Sequence, residues 1–189
     1  TKDPLGTKGA RLSTYLSIPS RYLVFMPRSN ALGISQRIEQ EEERRRLRDL
    51  MLAIEPGLSP TTASLDDGKA APDAGARGGF IVRTAAEGIG REDVAADMRF
   101  LRRLWQSIEE RLKQARPPAI VYEDLPLILR LIRDLSTAKG AKIRIDSRET
   151  FSKVKSFAEE LVPSLVSHLE HYPGERPILD LYSTEDEIQ

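Results

Sequence analysis

The stretch Gly78-Gly79-Phe80-Ile81-Val82-Arg83-Thr84 constrains this chain more than any other. A glycine pair opens a short apolar run of strand character, which ends abruptly on Arg83, Thr84 and the small-residue turn Ala85-Ala86-Glu87-Gly88. Such a run needs neighbours on both sides, so the fold must build a sheet around it. Its exit carries a planar guanidinium followed by a hydroxyl. That pairing suits a phosphate, because the fork bonds two oxygens while the hydroxyl takes a third. Most strand-end Arg-Thr pairs are ordinary solvated surface, so the reading depends on what surrounds this one.

Either side of this strand the periodicities alternate. Leu12 to Ile18 alternates as a strand, and Tyr22 to Met26 is a continuous apolar run read as a buried strand stopped by Pro27. Arg28 to Arg37 reads as a polar loop around Gly33, and a helix is expected from about Glu39 to Ile54 with Leu47, Leu50, Met51 and Ile54 on one face. The block Glu41-Glu42-Glu43-Arg44-Arg45-Arg46 at its start reads as a solvated helix face. The segment 55–78 holds Pro56, Pro60, Pro72, Gly57, Gly68 and Gly75 among small polar residues, and reads as a mobile insertion.

A long helix follows over about 92 to 115, with Val94, Met98, Leu101, Trp105, Ile108 and Leu112 on one stripe and Trp105 as its packing anchor. After Pro117-Pro118 the pattern predicts a strand at Ala119–Tyr122 and a helix capped by Asp124. It then predicts a strand over Lys142–Asp146, a helix begun by Ser147, and strands over Val166–Tyr172 and Ile178–Tyr182. Ser183-Thr184 with Glu187 reads as the start of a further helix. The expected fold class is mixed α+β and α/β, with small mixed sheets packed by amphipathic helices.

Charge excludes some functions and localises others. The chain has 29 basic and 29 acidic residues, so no whole-protein field draws it to nucleic acid, and any RNA contact must be made by placed side chains. The absence of cysteine rules out a disulfide framework or cysteine zinc site in the sequence and fits a reducing compartment. No apolar run reaches the roughly 18 residues of a membrane span, and a soluble, cytoplasmic protein is expected. His168 and His171, on a predicted strand, point to opposite faces, while Asp146 reads as a cap on the following helix. No catalytic residue, metal ligand or cofactor is expected in this chain. The opening residues lack an initiator methionine and read as part of a strand and loop, so a fragment is expected.

Six segments in order carry a specific resemblance: Gly6–Leu12, Pro19–Pro27, Gly33–Glu39, Gly78–Gly88, Ile143–Ser147 and Leu169–Tyr172. Together they resemble the ribonuclease E/G family, with wording closest to its G branch, over the whole chain except about 56–76. The resemblance implies a magnesium-dependent, single-strand-specific endoribonuclease of ribosomal RNA maturation and messenger RNA decay, with homo-oligomeric full-length members. It places 1–13 at the end of an OB-type RNA-binding barrel, 14–127 in a 5′-sensor subdomain with the insertion 55–78, and 128–189 in the second part of an RNase H-like subdomain. It puts the catalytic magnesium ligands and a zinc-link motif beyond Gln189, so this chain alone is expected to be inactive.

By the same resemblance Arg83 and Thr84 match a pair that grips the 5′-monophosphate of single-stranded RNA, Val24 matches a backbone contact beside them, and Lys2 and Lys8 match barrel lysines near RNA. Ser20 stands where the E branch has glycine. Gln36-Arg37 stands where that branch has two arginines: either Arg37 substitutes for the second sensor arginine, or Gln36 supplies a neutral hydrogen bond. The competing reading is a structural or assembly module whose apolar helix faces dock other subdomains, with no ligand of its own.

Overall fold

A computed structural model describes residues 16–61, 78–135 and 142–182. The chain divides into two compact units between Trp105 and Gln106. The first contains a five-stranded mixed sheet, the second a two-stranded parallel sheet, and helices accompany both, giving the mixed α+β class.

In the first unit the strands are β1 (Ile18–Pro19), β2 (Leu23–Met26), β3 (Ala31–Ile34), β4 (Ser59–Pro60) and β5 (Gly79–Val82), in the spatial order β1-β2-β5-β3-β4. The run Phe80–Val82 is indeed central: it pairs antiparallel with β2, Phe80 opposite Phe25, and parallel with β3, Ile34 beside Val82. Phe25 and Phe80 stack at 5.1 Å between centroids and Trp105 reaches Phe25 at 6.4 Å, so Trp105 packs on the sheet. Leu23, Phe80 and Val82 are fully buried, each stabilising the fold by about 1.5–3 kcal/mol through removal from water.

Helix α1 (Glu41–Ile54) buries Leu47 and Met51 and packs beside β3. Helix α2 (Arg91–Gln114) buries Val94, Met98, Leu101 and Ile108 of the predicted stripe, and Leu104 beside them; Trp105 is half-buried and Leu112 exposed.

Two expectations in this unit change. The loop around Gly33 contains β3, whose Leu32 and Gly33 are buried. Its polar flanks hid a strand that exists by pairing with β5 rather than by propensity. Ser59 and Pro60, inside the predicted insertion, pair with Ala31 and Leu32 as a short edge strand. The remainder of that insertion, 62–77, lies outside the described residues, as do the predicted strand before Leu16 and the helix start at Ser183.

In the second unit β6 (Ile143–Ile145) runs parallel to β7 (Leu169–His171), joined through α4 (Arg148–Leu161) and a 3-10 turn over Pro163–His168. Ser147 caps α4 by accepting the Thr150 N–H at 3.2 Å, and Asp146 accepts the Ser147 N–H at 2.7 Å. Val154, Phe157, Ala158 and Leu161 form the buried face of α4.

Here the sequence misleads in four places. Ala119–Tyr122 forms no strand; it lies between Pro118 and Pro126, with Ile120 78% exposed and no strand partner among the described residues. Helix α3 (Leu127–Asp134) has Pro126 at its N-cap position with no side-chain cap bond, and Asp124 stands too far ahead of the first turn to supply one. Only Leu169–His171 of the strand predicted over Val166–Tyr172 is extended, because Pro163 starts a helical turn that carries through His168. Ile178–Leu181 is a short helix, α5, since Pro177 presets a helical start. Among the described residues no helix is long and apolar enough to cross a membrane.

Gly79 tests the sheet. A Cβ there would come within 2.5 Å of the Ala31 carbonyl and 2.8 Å of its nitrogen, both backbone atoms that cannot swing aside. Gly79→Ala is expected to lower stability by about 1–3 kcal/mol in urea unfolding, the cost of forcing β3 and β5 apart. An unchanged midpoint would contradict this pairing.

Candidate functional site

The sheet gathers three separate segments at one end. β3 and β5 run parallel, so Ser35-Gln36-Arg37 and Arg83-Thr84 leave the sheet side by side. β2 runs the other way, so Ser20-Arg21-Tyr22 enters at that same end. The Ser35 N–H donates to the Val82 carbonyl at 2.8 Å and the Arg83 N–H to the Tyr22 carbonyl at 2.8 Å, which ties the three segments together at their last rung.

Arg83 is exposed and makes no ion pair among the described residues. Its Nη1 donates to the Ser20 carbonyl. A carbonyl orients the fork without neutralising it, and the other guanidinium donors keep their capacity for an anion. Thr84 is exposed at the start of a 3-10 turn over Thr84–Ala86, closed by the Ala86 N–H on the Arg83 carbonyl at 3.0 Å. Gln36 and Arg37 are exposed, and neither side chain has a hydrogen bond or ion pair among the described residues.

The other predicted residues fall elsewhere. Ser20 is fully buried, and its hydroxyl donates to Asp97 Oδ1 at 2.5 Å. It stands behind Arg83 rather than at the surface. Val24 is half-buried within the sheet, paired with Pro19 and Ile81, and is not brought to the edge. Lys2 and Lys8 lie outside the described residues.

Sequence reasoning missed the supports. The charge block opening α1 is not merely solvated. Arg44 Nη1 donates to the Ser35 carbonyl at 2.8 Å and the Ile38 carbonyl at 3.1 Å, holding the loop that displays Gln36 and Arg37. Arg46 pairs with Glu43 at 2.6 Å and donates to the Ile89 carbonyl at 3.0 Å, while Glu43 accepts the Gly88 N–H at 2.9 Å. Helix α1 thus clamps the loops following both β3 and β5. The long-range partners of Arg44 and Glu43 leave no local pattern; three arginines after three glutamates was the sole hint.

Asp97 was missed as well. It is 7% exposed on α2 and accepts the Ser20 hydroxyl and the Tyr22 and Leu23 N–H groups, the latter two at 3.0 Å each. An acid on the otherwise apolar stripe of α2 was the available signal.

The second unit shows a different use of charge. Glu170 takes Lys142 at 2.5 Å and Arg144 at 3.0 Å, and these two cations hold its carboxyl below the usual range. Among the described residues no three His, Asp or Glu side chains converge as a metal site would require.

A sequence profile described as the Ribonuclease E/G family matches residues 17–189. Ribonuclease G of Salmonella typhimurium is 45% identical over 188 residues, covering 100% of this chain and 35% of its own length. Ribonuclease G of Escherichia coli K12 is 44% identical over the same span, again with 35% of its length covered. Ribonuclease E of Nostoc sp. is 31% identical over 184 residues, 96% of this chain and 24% of that protein. The chain thus spans about a third of the length of the ribonuclease G proteins it matches.

The clamp predicts a pH signature. The Arg46 guanidinium and then the Gly88 N–H hold the Glu43 carboxyl at about 2, against an ordinary 4.5. A depressed folded value contributes stability that is complete above the unfolded value and is lost as pH falls towards 2. Arg46 is 40% exposed, so solvent screening keeps the effect below what the shift alone implies. Glu43→Gln is expected to destabilise by about 1–2 kcal/mol at pH 7, with the gap to the unmutated chain closing as pH falls from about 4.5 to 2.5. Urea midpoints across that range check it; a gap independent of pH would contradict the clamp.

Proposed function

This chain belongs to the ribonuclease E/G family, and from that premise we propose that the sheet end carrying Arg83 receives the 5′-monophosphate of a single-stranded RNA. One observation carries the reading: Arg83 stands exposed at the exit of the central strand, held by a carbonyl and not by an acid. The Arg83 fork takes two phosphate oxygens, and the neighbouring Thr84 hydroxyl takes another. Arg37 supplies the second positive charge from the adjacent loop, with Gln36 as a neutral donor beside it. Ser20 acts through Arg83, since its own hydroxyl is committed to Asp97.

Selection follows from fit and charge. A terminal monophosphate is small and carries close to two negative charges, so it fills the fork. A 5′-hydroxyl end leaves the cations unfilled, and a triphosphate is too bulky for the pair.

In this reading 14–127 is the 5′-sensor region, 128–189 belongs to an RNase H-like subdomain, and 1–13, with Lys2 and Lys8, continues an RNA-binding barrel. The full-length protein would be a cytoplasmic, magnesium-dependent endoribonuclease of ribosomal RNA maturation and messenger RNA decay, acting as a homo-oligomer. The chain described here would bind RNA ends without cutting them.

The assembly reading finds its support in the second unit. Leu127 and Leu131 on α3 are 76% and 51% exposed, an apolar face suited to a covering partner. It is compatible with end recognition in the first unit, and only the absence of any end preference would leave it standing alone.

Binding of a short 5′-monophosphorylated oligoribonucleotide and its 5′-hydroxyl twin, followed by fluorescence anisotropy at low salt, tests the proposal. The phosphorylated RNA is expected to bind about tenfold tighter, and Arg83→Ala to abolish the difference with unchanged folding. Equal binding of the two RNAs by the unmutated chain would reject it.

A further inference from the structure

We propose that Asp97 is the positioning residue that aims the Arg83 guanidinium, a role that rests on the reading of this sheet end as the anion-binding edge. Asp97 is the buried acid of the first unit among the described residues, and it stands behind Ser20 and Tyr22. Its two oxygens take three donors from one turn: Oδ1 accepts from the Ser20 hydroxyl, and Oδ2 from the Tyr22 and Leu23 N–H groups.

A trans peptide is planar, with its N–H and C=O pointing in opposite directions. The Leu23 N–H and the Tyr22 carbonyl belong to one such unit. With the N–H drawn to Asp97, the carbonyl is turned away from it, where it accepts the Arg83 N–H at 2.8 Å. The Ser20 hydroxyl pins Ser20 in the same way, and the Ser20 carbonyl receives Arg83 Nη1. The carboxylate thus takes the Ser20 hydroxyl and the Tyr22 and Leu23 N–H groups, while the Tyr22 and Ser20 carbonyls grip Arg83, once by backbone and once by side chain.

This arrangement solves a problem that a direct ion pair would not. A carboxylate on Arg83 would hold the fork in place but neutralise it against a phosphate. Here the negative charge stays one residue removed: Asp97 fixes the Leu23–Tyr22 peptide that holds the Arg83 backbone, and the Ser20 side chain whose residue's carbonyl holds the fork, so the positive charge is left for a ligand. An ionised carboxylate is acceptor-only, whereas an asparagine offers one oxygen and an NH2 group that would face N–H donors. Asp97→Asn therefore keeps the volume and loses the alignment.

The experiment uses the full chain with Asp97→Asn and, as a milder change, Ser20→Ala. Two readouts are taken once folding is confirmed by the thermal midpoint: the nitrogen-edited NMR signal of the Arg83 guanidinium, identified by its loss in Arg83→Lys, and the ratio of affinities for the 5′-monophosphorylated and 5′-hydroxyl RNAs. In the unmutated chain the Arg83 signal is expected to be resolved and protected from solvent exchange. In Asp97→Asn it collapses to the position of a solvated arginine and the affinity ratio falls about fivefold, while Ser20→Ala shows a smaller loss of both.

A folded Asp97→Asn chain with an unmoved Arg83 signal would overturn the proposal. Should Asp97→Asn fail to fold, the same signal in Ser20→Ala decides. Equal binding of the two RNAs by the unmutated chain rejects the phosphate reading, and the Arg83 signal then judges the role of Asp97 by itself.

Discussion

The direction of β5 between its two neighbours decides what this molecule can present. Antiparallel to β2 and parallel to β3, it brings one chain entry and two chain exits to a single end of the sheet. Residues around positions 20, 36 and 83, far apart in sequence, become neighbours by register alone. A slip of one residue would turn every side chain of β5 to the opposite face, carrying the buried Phe80 and Val82 to the side where Ile81 is only half-buried. The Phe25–Phe80 stack and the close backbone approach at Gly79 lock that register.

With the register set, electrostatics divides the labour. The acids near the site, Asp97 and Glu43, accept backbone N–H groups and the guanidinium of Arg46, so they stiffen loops. Arg83 and Arg37 have no acidic partner among the described residues, so a chain of balanced total charge still holds a locally positive edge. The second unit does the reverse at β6 and β7, where Glu170 consumes both Lys142 and Arg144. The two units thus differ in kind: one displays unpaired cations, the other displays apolar side chains on α3.

How much of this was legible depended on the range of the interaction. The central strand Phe80–Val82, β2, both long helices and the Ser147 cap follow from local periodicity and local hydrogen bonding, and each stands where the residues put it. β3 was invisible because its strand character comes from β5 beside it and not from Ala31-Leu32-Gly33-Ile34 itself. The short helix at Ile178–Leu181 was mistaken because four apolar-rich residues fit either period, and only Pro177 distinguishes them. At the candidate site the display residues Arg83, Thr84, Gln36 and Arg37 were found from residue type and resemblance. The residues holding them, Asp97, Arg44 and the Glu43–Arg46 pair, reach their loops over 6 to 77 positions, and only the Glu-Arg block and an acid on an apolar stripe hint at them.

Recognition of a terminal phosphate by one sheet end is the proposal on which the functional reading turns. An NMR titration of the isotopically labelled chain with a 5′-phosphorylated dinucleotide, run beside the unphosphorylated dinucleotide, addresses it most directly. Shifts are expected only in the segments around Ser20, Gln36-Arg37 and Arg83-Thr84, and only with the phosphorylated ligand. The same shifts with both ligands, or a response centred on the second unit, would contradict it.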